Sequence, residues 1–86
     1  MPYQIQFATK AAKQFKALPA NIQQRIQPKI DALADTPLPS GVVKLEASLN
    51  LYRIRIGDYR VIYELQDKAL IVLVVKVGHR RNIYRD

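Results

Sequence analysis

The stretch Tyr52-Arg53-Ile54-Arg55-Ile56-Gly57-Asp58-Tyr59-Arg60-Val61 has the residue types and spacing to hold a phosphate. Gly57-Asp58 is a two-residue turn signal between two alternating runs. Glycine in the first loop position suits a type II′ turn, which needs φ > 0 there. That loop predicts pairing of Ile56 with Tyr59, Arg55 with Arg60, Ile54 with Val61 and Arg53 with Ile62. Side chains alternate faces along a strand, so Arg53, Arg55 and Arg60 share one face. Ile54, Ile56, Tyr59, Val61 and Tyr63 share the other, which is apolar enough to be a core face. Directly opposed like charges destabilise a sheet by up to about 1 kcal/mol per pair. A fold has no need of Arg55 opposite Arg60, whereas an anionic ligand does.

The whole chain leans the same way. Fourteen basic residues stand against seven acidic ones in 86 residues, a formal charge of +7. Such a balance favours a polyanionic partner, although it also serves solubility alone. Six of the seven arginines (Arg53, Arg55, Arg60, Arg80, Arg81 and Arg85) follow residue 50, while lysines dominate the first half. Guanidinium groups make planar, bidentate contacts to phosphate and stack on bases; an ammonium is a hydrated point charge. The second half is therefore the candidate working half. There is no cysteine and one histidine, His79, which excludes a disulfide framework and a thiolate or His-rich metal site. No metal or other cofactor is expected. The N-terminal residues lack a basic segment followed by an apolar one, so no secretory signal is expected. The apolar run from Ala69 to Val75 is too short to span a bilayer. A cytoplasmic, membrane-free protein is the expectation.

The elements that must position the arginines follow from periodicity. Hydrophobic residues make up 49% of the chain, enough for one small folded domain over residues 1–86. Tyr3 to Phe7 alternates as a first strand. Thr9 is the expected N-cap of a short helix from Lys10 to Leu18, with Ala11, Phe15 and Leu18 inward. Its Lys10, Lys13 and Lys16 read as a solvated face, with RNA contact as the secondary reading. Leu18-Pro19 ends it. Ile22, Ile26, Ile30 and Leu33 predict a second helix from about Asn21 to Ala34, kinked or loosened by Pro28. Asp35 to Gly41 is a loop by composition. Val42 to Leu49 is expected to be irregular. Leu51 to Ile56 and Tyr59 to Leu65 form the hairpin, and Gln66-Asp67-Lys68 turns the chain. Ala69 to Val77, nearly all β-branched or leucine, is expected as a central strand covered on both faces. Gly78 is expected to end it, leaving a basic tail from His79 to Asp86. The result is an α+β fold: an N-terminal strand, two helices, then a three-stranded antiparallel meander, in a single small sheet with helices on one face.

This order, with the string from Tyr52 to Tyr63 (YRIRIGDYRVIY) followed by Val77-Gly-His-Arg-Arg-Asn-Ile-Tyr84, resembles the RelE group of the RelE/ParE toxin superfamily over almost the whole chain. The resemblance implies the toxin of a toxin–antitoxin pair, held inactive by a cognate antitoxin. It implies an endoribonuclease (an mRNA interferase) that cuts messenger RNA in the ribosomal A site. There the ribose 2′-hydroxyl attacks the adjacent phosphate, leaving a 2′,3′-cyclic phosphate and a 5′-hydroxyl. The family's functional positions fall on Arg53, Arg55, Arg60, Arg80 and Tyr84. Ribosome, mRNA and antitoxin are the implied partners, and no small-molecule cofactor is implied.

In that chemistry fixed cations neutralise the charge that builds on the non-bridging oxygens. Arg60 is the expected clamp beside Arg55. Arg80 is placed to cradle the phosphate or assist the leaving oxygen. Tyr84 can stack on a base. Arg81 and Arg85 are candidates to grip RNA backbone, and Lys44 is a further RNA-binding candidate. The sequence departs from the family pattern, which has lysines where Arg53 and Arg55 stand, one of them a general base. An arginine effectively never deprotonates. His79 is then a candidate base or acid, as related toxins use a histidine near this position; a structural hydrogen-bonding role is the alternative. Glu64 and Glu46 are weaker candidates, and Glu64 doubles as a counter-charge on the arginine face. Tyr52, Tyr59 and Tyr63 read as packing. Two rival functions remain open: a ParE-like inhibitor of DNA gyrase and a non-catalytic RNA-binding protein.

Overall fold

The computed structural model describes residues 2–45 and 50–83. Tyr84, Arg85 and Glu46 fall outside them. Among the described residues five strands form one mixed sheet: β1 (Gln4–Phe7), β2 (Val43–Lys44), β3 (Leu51–Ile56), β4 (Tyr59–Gln66) and β5 (Ile71–His79), in the order β1-β5-β4-β3-β2. Helices α1 (Thr9–Lys16) and α2 (Ala20–Ala32) connect β1 to the rest. β1 runs parallel to β5, and every other pairing is antiparallel. The predicted N-terminal strand and meander are both present, with β1 parallel to β5, and the sheet gains the short edge strand β2, where irregular chain is predicted. Among the described residues no helix is long and apolar enough to cross a membrane.

The core lies between the helices and one face of the sheet. Ala11, Ile26, Ile30 and Leu33 meet Ile54, Ile56, Val61, Tyr63, Leu65, Val72, Val74 and Val77. Helix α1 starts on Ala8 as N-cap, with no side-chain cap, so Thr9 is its first residue and not its cap. Helix α2 runs unbroken through Pro28. Pro28 lies on the exposed side, while Ile26 and Ile30, both at 0% exposure, hold the helix down on either side of it. The expected kink or loosening is not seen as a break in the helix.

Strand β5 departs from expectation in three ways. It begins at Ile71, because Ala69 and Leu70 belong to the turn, where Leu70 takes φ +55. It passes through Gly78 and ends one residue later. It is fully buried on one face only: Val72, Val74 and Val77 are inside, while Ile71, Leu73 and Val75 are half-buried. A β-branched run satisfies the strand wherever helices cover one side, and here they cover no more than that. Residues 80–83, which follow it, fold back on the strand end. Asn82 and Ile83 donate backbone hydrogen bonds to the His79 carbonyl at 2.8 and 3.0 Å, and Ile83 is 1% exposed.

Two polar contacts lock this frame. The Val77 amide donates to Gln14 Oε1 at 2.9 Å, satisfying a strand donor that β1, paired only as far as Val74, does not reach. Gln14→Ala should cost about 1–3 kcal/mol in denaturant unfolding, the penalty of an orphaned amide. The Tyr63 hydroxyl donates to the Pro37 carbonyl at 2.6 Å, pinning the 36–41 loop to the sheet. Burial first, and Tyr52 second, push the Tyr63 phenol up to about 12. The folded state therefore holds this proton more tightly than the unfolded chain. The resulting stability is complete below the ordinary tyrosine value near 10 and is lost as pH rises towards 12. Tyr63→Phe should flatten the fall of Tm over that window.

Candidate functional site

The hairpin forms in the register that its turn dictates. Arg55 stands opposite Arg60, Arg53 opposite Ile62, Ile54 opposite Val61 and Ile56 opposite Tyr59. Gly57 has φ +60 and Asp58 is not in the left-handed region, as a type II′ turn requires. Arg53, Arg55 and Arg60 therefore share the face that the helices leave open. Glu64, opposite Leu51, lies on the same face and accepts a hydrogen bond from Gln66 Nε2 at 2.7 Å. Arg55 is exposed, and Arg53 and Arg60 are half-buried. Arg60 Nη1 reaches the Gly57 and Tyr59 carbonyls only at 3.4 Å, so it is weakly held.

Strand β5 adds the next row. Gly78 pairs with Arg60 and Lys76 pairs with Ile62, so Lys76 joins the arginine face. Ile62 is 6% exposed although it stands on the open face, flanked by Arg53 on β3 and Lys76 on β5. A Cβ built on Gly78 would lie 3.7 Å from Ile83 Cδ1, so the folded-back 80–83 turn floors this side of the sheet. Ile62 and Ile83 are buried yet stand apart from the main core. They give this face a buried apolar base.

A second gathering of cations surrounds the hairpin tip. The Arg80 amide donates to the Asp58 carbonyl at 2.7 Å, and its Nε lies 3.9 Å from Asp58 Oδ1. Both side chains are exposed, so this pair holds Arg80 only loosely. Arg25 arrives from α2: a Cβ on Gly57 would meet its Nη2 at 2.6 Å. Arg81 is exposed on the following turn. An open groove of about 530 Å³ runs between α2, the 36–41 loop and the outer edge of β3, and Arg53 and Arg55 line it together with Lys29 and Ile54.

Two candidates stand elsewhere. His79 pairs with Tyr59, which sets it on the helix-side face, its ring edge-on to Tyr59 at 5.4 Å. Its Nδ1 accepts the Arg81 amide at 3.2 Å. Lys44 pairs with Tyr52 and so also lies away from the arginines. Conversely, Lys76 and Arg25 join the basic surface without having been expected there. The only sequence sign for Lys76 is its phase. Strict alternation from Val72 and Val74 would send position 76 inward, which a lysine resists.

Comparison with known proteins gives the family and the fold. Residues 5–84 match the family described as the ParE toxin of type II toxin–antitoxin system, parDE. A putative RelE-like toxin protein of Escherichia coli is 35% identical, over 93% of this chain and 85% of its own length. The mRNA interferase toxin RelE of Escherichia coli K12 is 26% identical, over 93% of this chain and 85% of its own. The archaeal RelE of a RelE–RelB complex from Pyrococcus horikoshii OT3 superposes with a TM-score of 0.81 at 32% identity, covering 95% of this chain and 99% of that one. A sheet that turns a row of arginines outward, in a chain matched almost end to end, places this protein in the ParE toxin family of type II toxin–antitoxin systems, among its RelE-like members.

Proposed function

We propose that this toxin is a ribosome-dependent endoribonuclease that cuts messenger RNA in the A site. The observation that carries the reading is the opposition of Arg55 and Arg60 on an open face, a repulsion that a bound phosphate would relieve. A relative named as an mRNA interferase supports it. The 2′-hydroxyl attacks the adjacent phosphorus and the 5′ oxygen leaves. Arg60 and Arg55 hold the non-bridging oxygens, with Arg53 beside them, while Arg80 approaches from the hairpin tip. Tyr84 orients the base, and Arg81 and Arg85 grip RNA backbone. Charge neutralisation by these arginines makes the cleavage metal-independent. A cognate antitoxin restrains the protein, by likeness to the toxins solved as RelE–RelB complexes.

The test is to add the purified protein to ribosomes stalled on a defined message and map the new RNA ends. The expected result is a cut within the A-site codon that leaves a 2′,3′-cyclic phosphate and depends on ribosomes. The family description names ParE, which keeps gyrase inhibition as a second reading. Intact message together with loss of gyrase supercoiling would establish that one instead.

A further inference from the structure

The three hairpin arginines can neutralise charge but cannot exchange a proton. In-line cleavage needs a proton for the 5′ oxygen as it departs. Between Ile62 and Tyr63 the β4–β5 register shifts: Ile62 pairs with Lys76 but Tyr63 pairs with Val74, leaving Val75 as an extra residue on β5. Such a bulge re-aims the side chains that follow it. Val72 and Val74 point into the core, and regular alternation would send position 76 after them. The bulge sends Val77 inward instead, at 2% exposure, and turns Lys76 out onto the arginine face. There Lys76 faces Arg53 across Ile62 and lies diagonal to Arg60, which pairs with Gly78 two residues on. The other proton-exchanging side chain placed on this face among the described residues, Glu64, stands one row further from the Arg55–Arg60 pair, between Leu51 and Leu73. His79 lies on the opposite face.

We propose that Lys76 is a catalytic residue of this toxin, the proton donor to the leaving 5′ oxygen. The inference rests on the endoribonuclease reading. As the O2′–P bond forms, the 2′ proton passes to water. As the P–O5′ bond breaks, the 5′ oxygen takes a proton from the Lys76 ammonium, which solvent then recharges. The arginines hold the phosphate throughout, and Lys76 supplies the proton to the leaving oxygen that they cannot.

The test uses ribosomes carrying two messages: one all-oxygen, the other with a bridging sulfur in place of the 5′ oxygen at the scissile linkage. A thiolate leaves without protonation. Lys76→Met and Lys76→Arg should each cut the oxygen message about 100-fold more slowly than the parent, within the range of lost general-acid catalysis. Both should cut the sulfur message at nearly the parental rate, with unchanged Tm. A parental rate for Lys76→Arg on oxygen would reduce Lys76 to a charge and overturn the proposal. So would equal impairment on both messages, which marks a binding or structural role. If the parent cuts neither message, the endoribonuclease reading fails and this inference fails with it. If the parent cuts both and the Lys76 variants match it, the inference alone fails.

Discussion

Arg60→Ala is expected to reduce A-site cleavage by at least about 100- to 1,000-fold, the effect of removing one fixed donor from a developing oxyanion, while leaving the domain as stable as the parent or slightly more so. Arg60 stands directly opposite Arg55, and nothing in the fold rewards that pairing. Its two contacts to backbone carbonyls are long, at 3.4 Å each. Removing the side chain gives up those weak bonds and relieves a like-charge pair worth up to about 1 kcal/mol. Loss of cutting with Tm held is the signature of a residue that serves ligand and not fold. Arg60→Lys should recover only part of the activity, because an ammonium cannot make the bidentate contact. A Tm several degrees below the parent for Arg60→Ala would make the arginine face structural and remove the basis for the proposed mechanism.

The hairpin was legible residue by residue because two local rules fix it. A two-residue Gly-Asp loop sets the register, and alternation of isoleucine with arginine sets the faces. Nothing comparable marks β5. Its bulge sits in a run of valines and leucines that reads alike in either phase, and only the out-of-phase Lys76 betrays it. Arg25 was hidden for a different reason. Its place over Gly57 depends on how α2 crosses the sheet, which is decided by packing of Ile26 and Ile30 and not by any local pattern. His79 illustrates the converse error. One more strand residue beyond Gly78 gives it the Tyr59 side of the sheet, so nearness in sequence to Arg80 does not become nearness to the arginine face. The strand Val43–Lys44, two residues long and exposed, carries no periodic signal at all; it exists because β3 offers it an edge.

Ile30→Ala tests the other half of the argument, that the arginine face is only as good as the layer behind it. Ile30 is fully buried where α2 covers the sheet, within the cluster that includes Ile54, Ile56 and Val61, the inward neighbours of the arginines along β3 and β4. Truncating it removes buried methylenes and leaves a cavity, at a cost of about 2–5 kcal/mol. For a domain of 86 residues, each kcal/mol lowers Tm by about 4–8 °C, and the loss is a large share of a typical total of about 5–15 kcal/mol. Thermal unfolding should therefore shift down by about 8 °C or more. Cleavage per folded molecule, measured well below the new Tm, should stay near parental because no charged group has moved. Arg60→Ala and Ile30→Ala thus predict opposite splits between stability and cutting. A single variant that lost both would show that the arginine face and the helix-backed core cannot be separated.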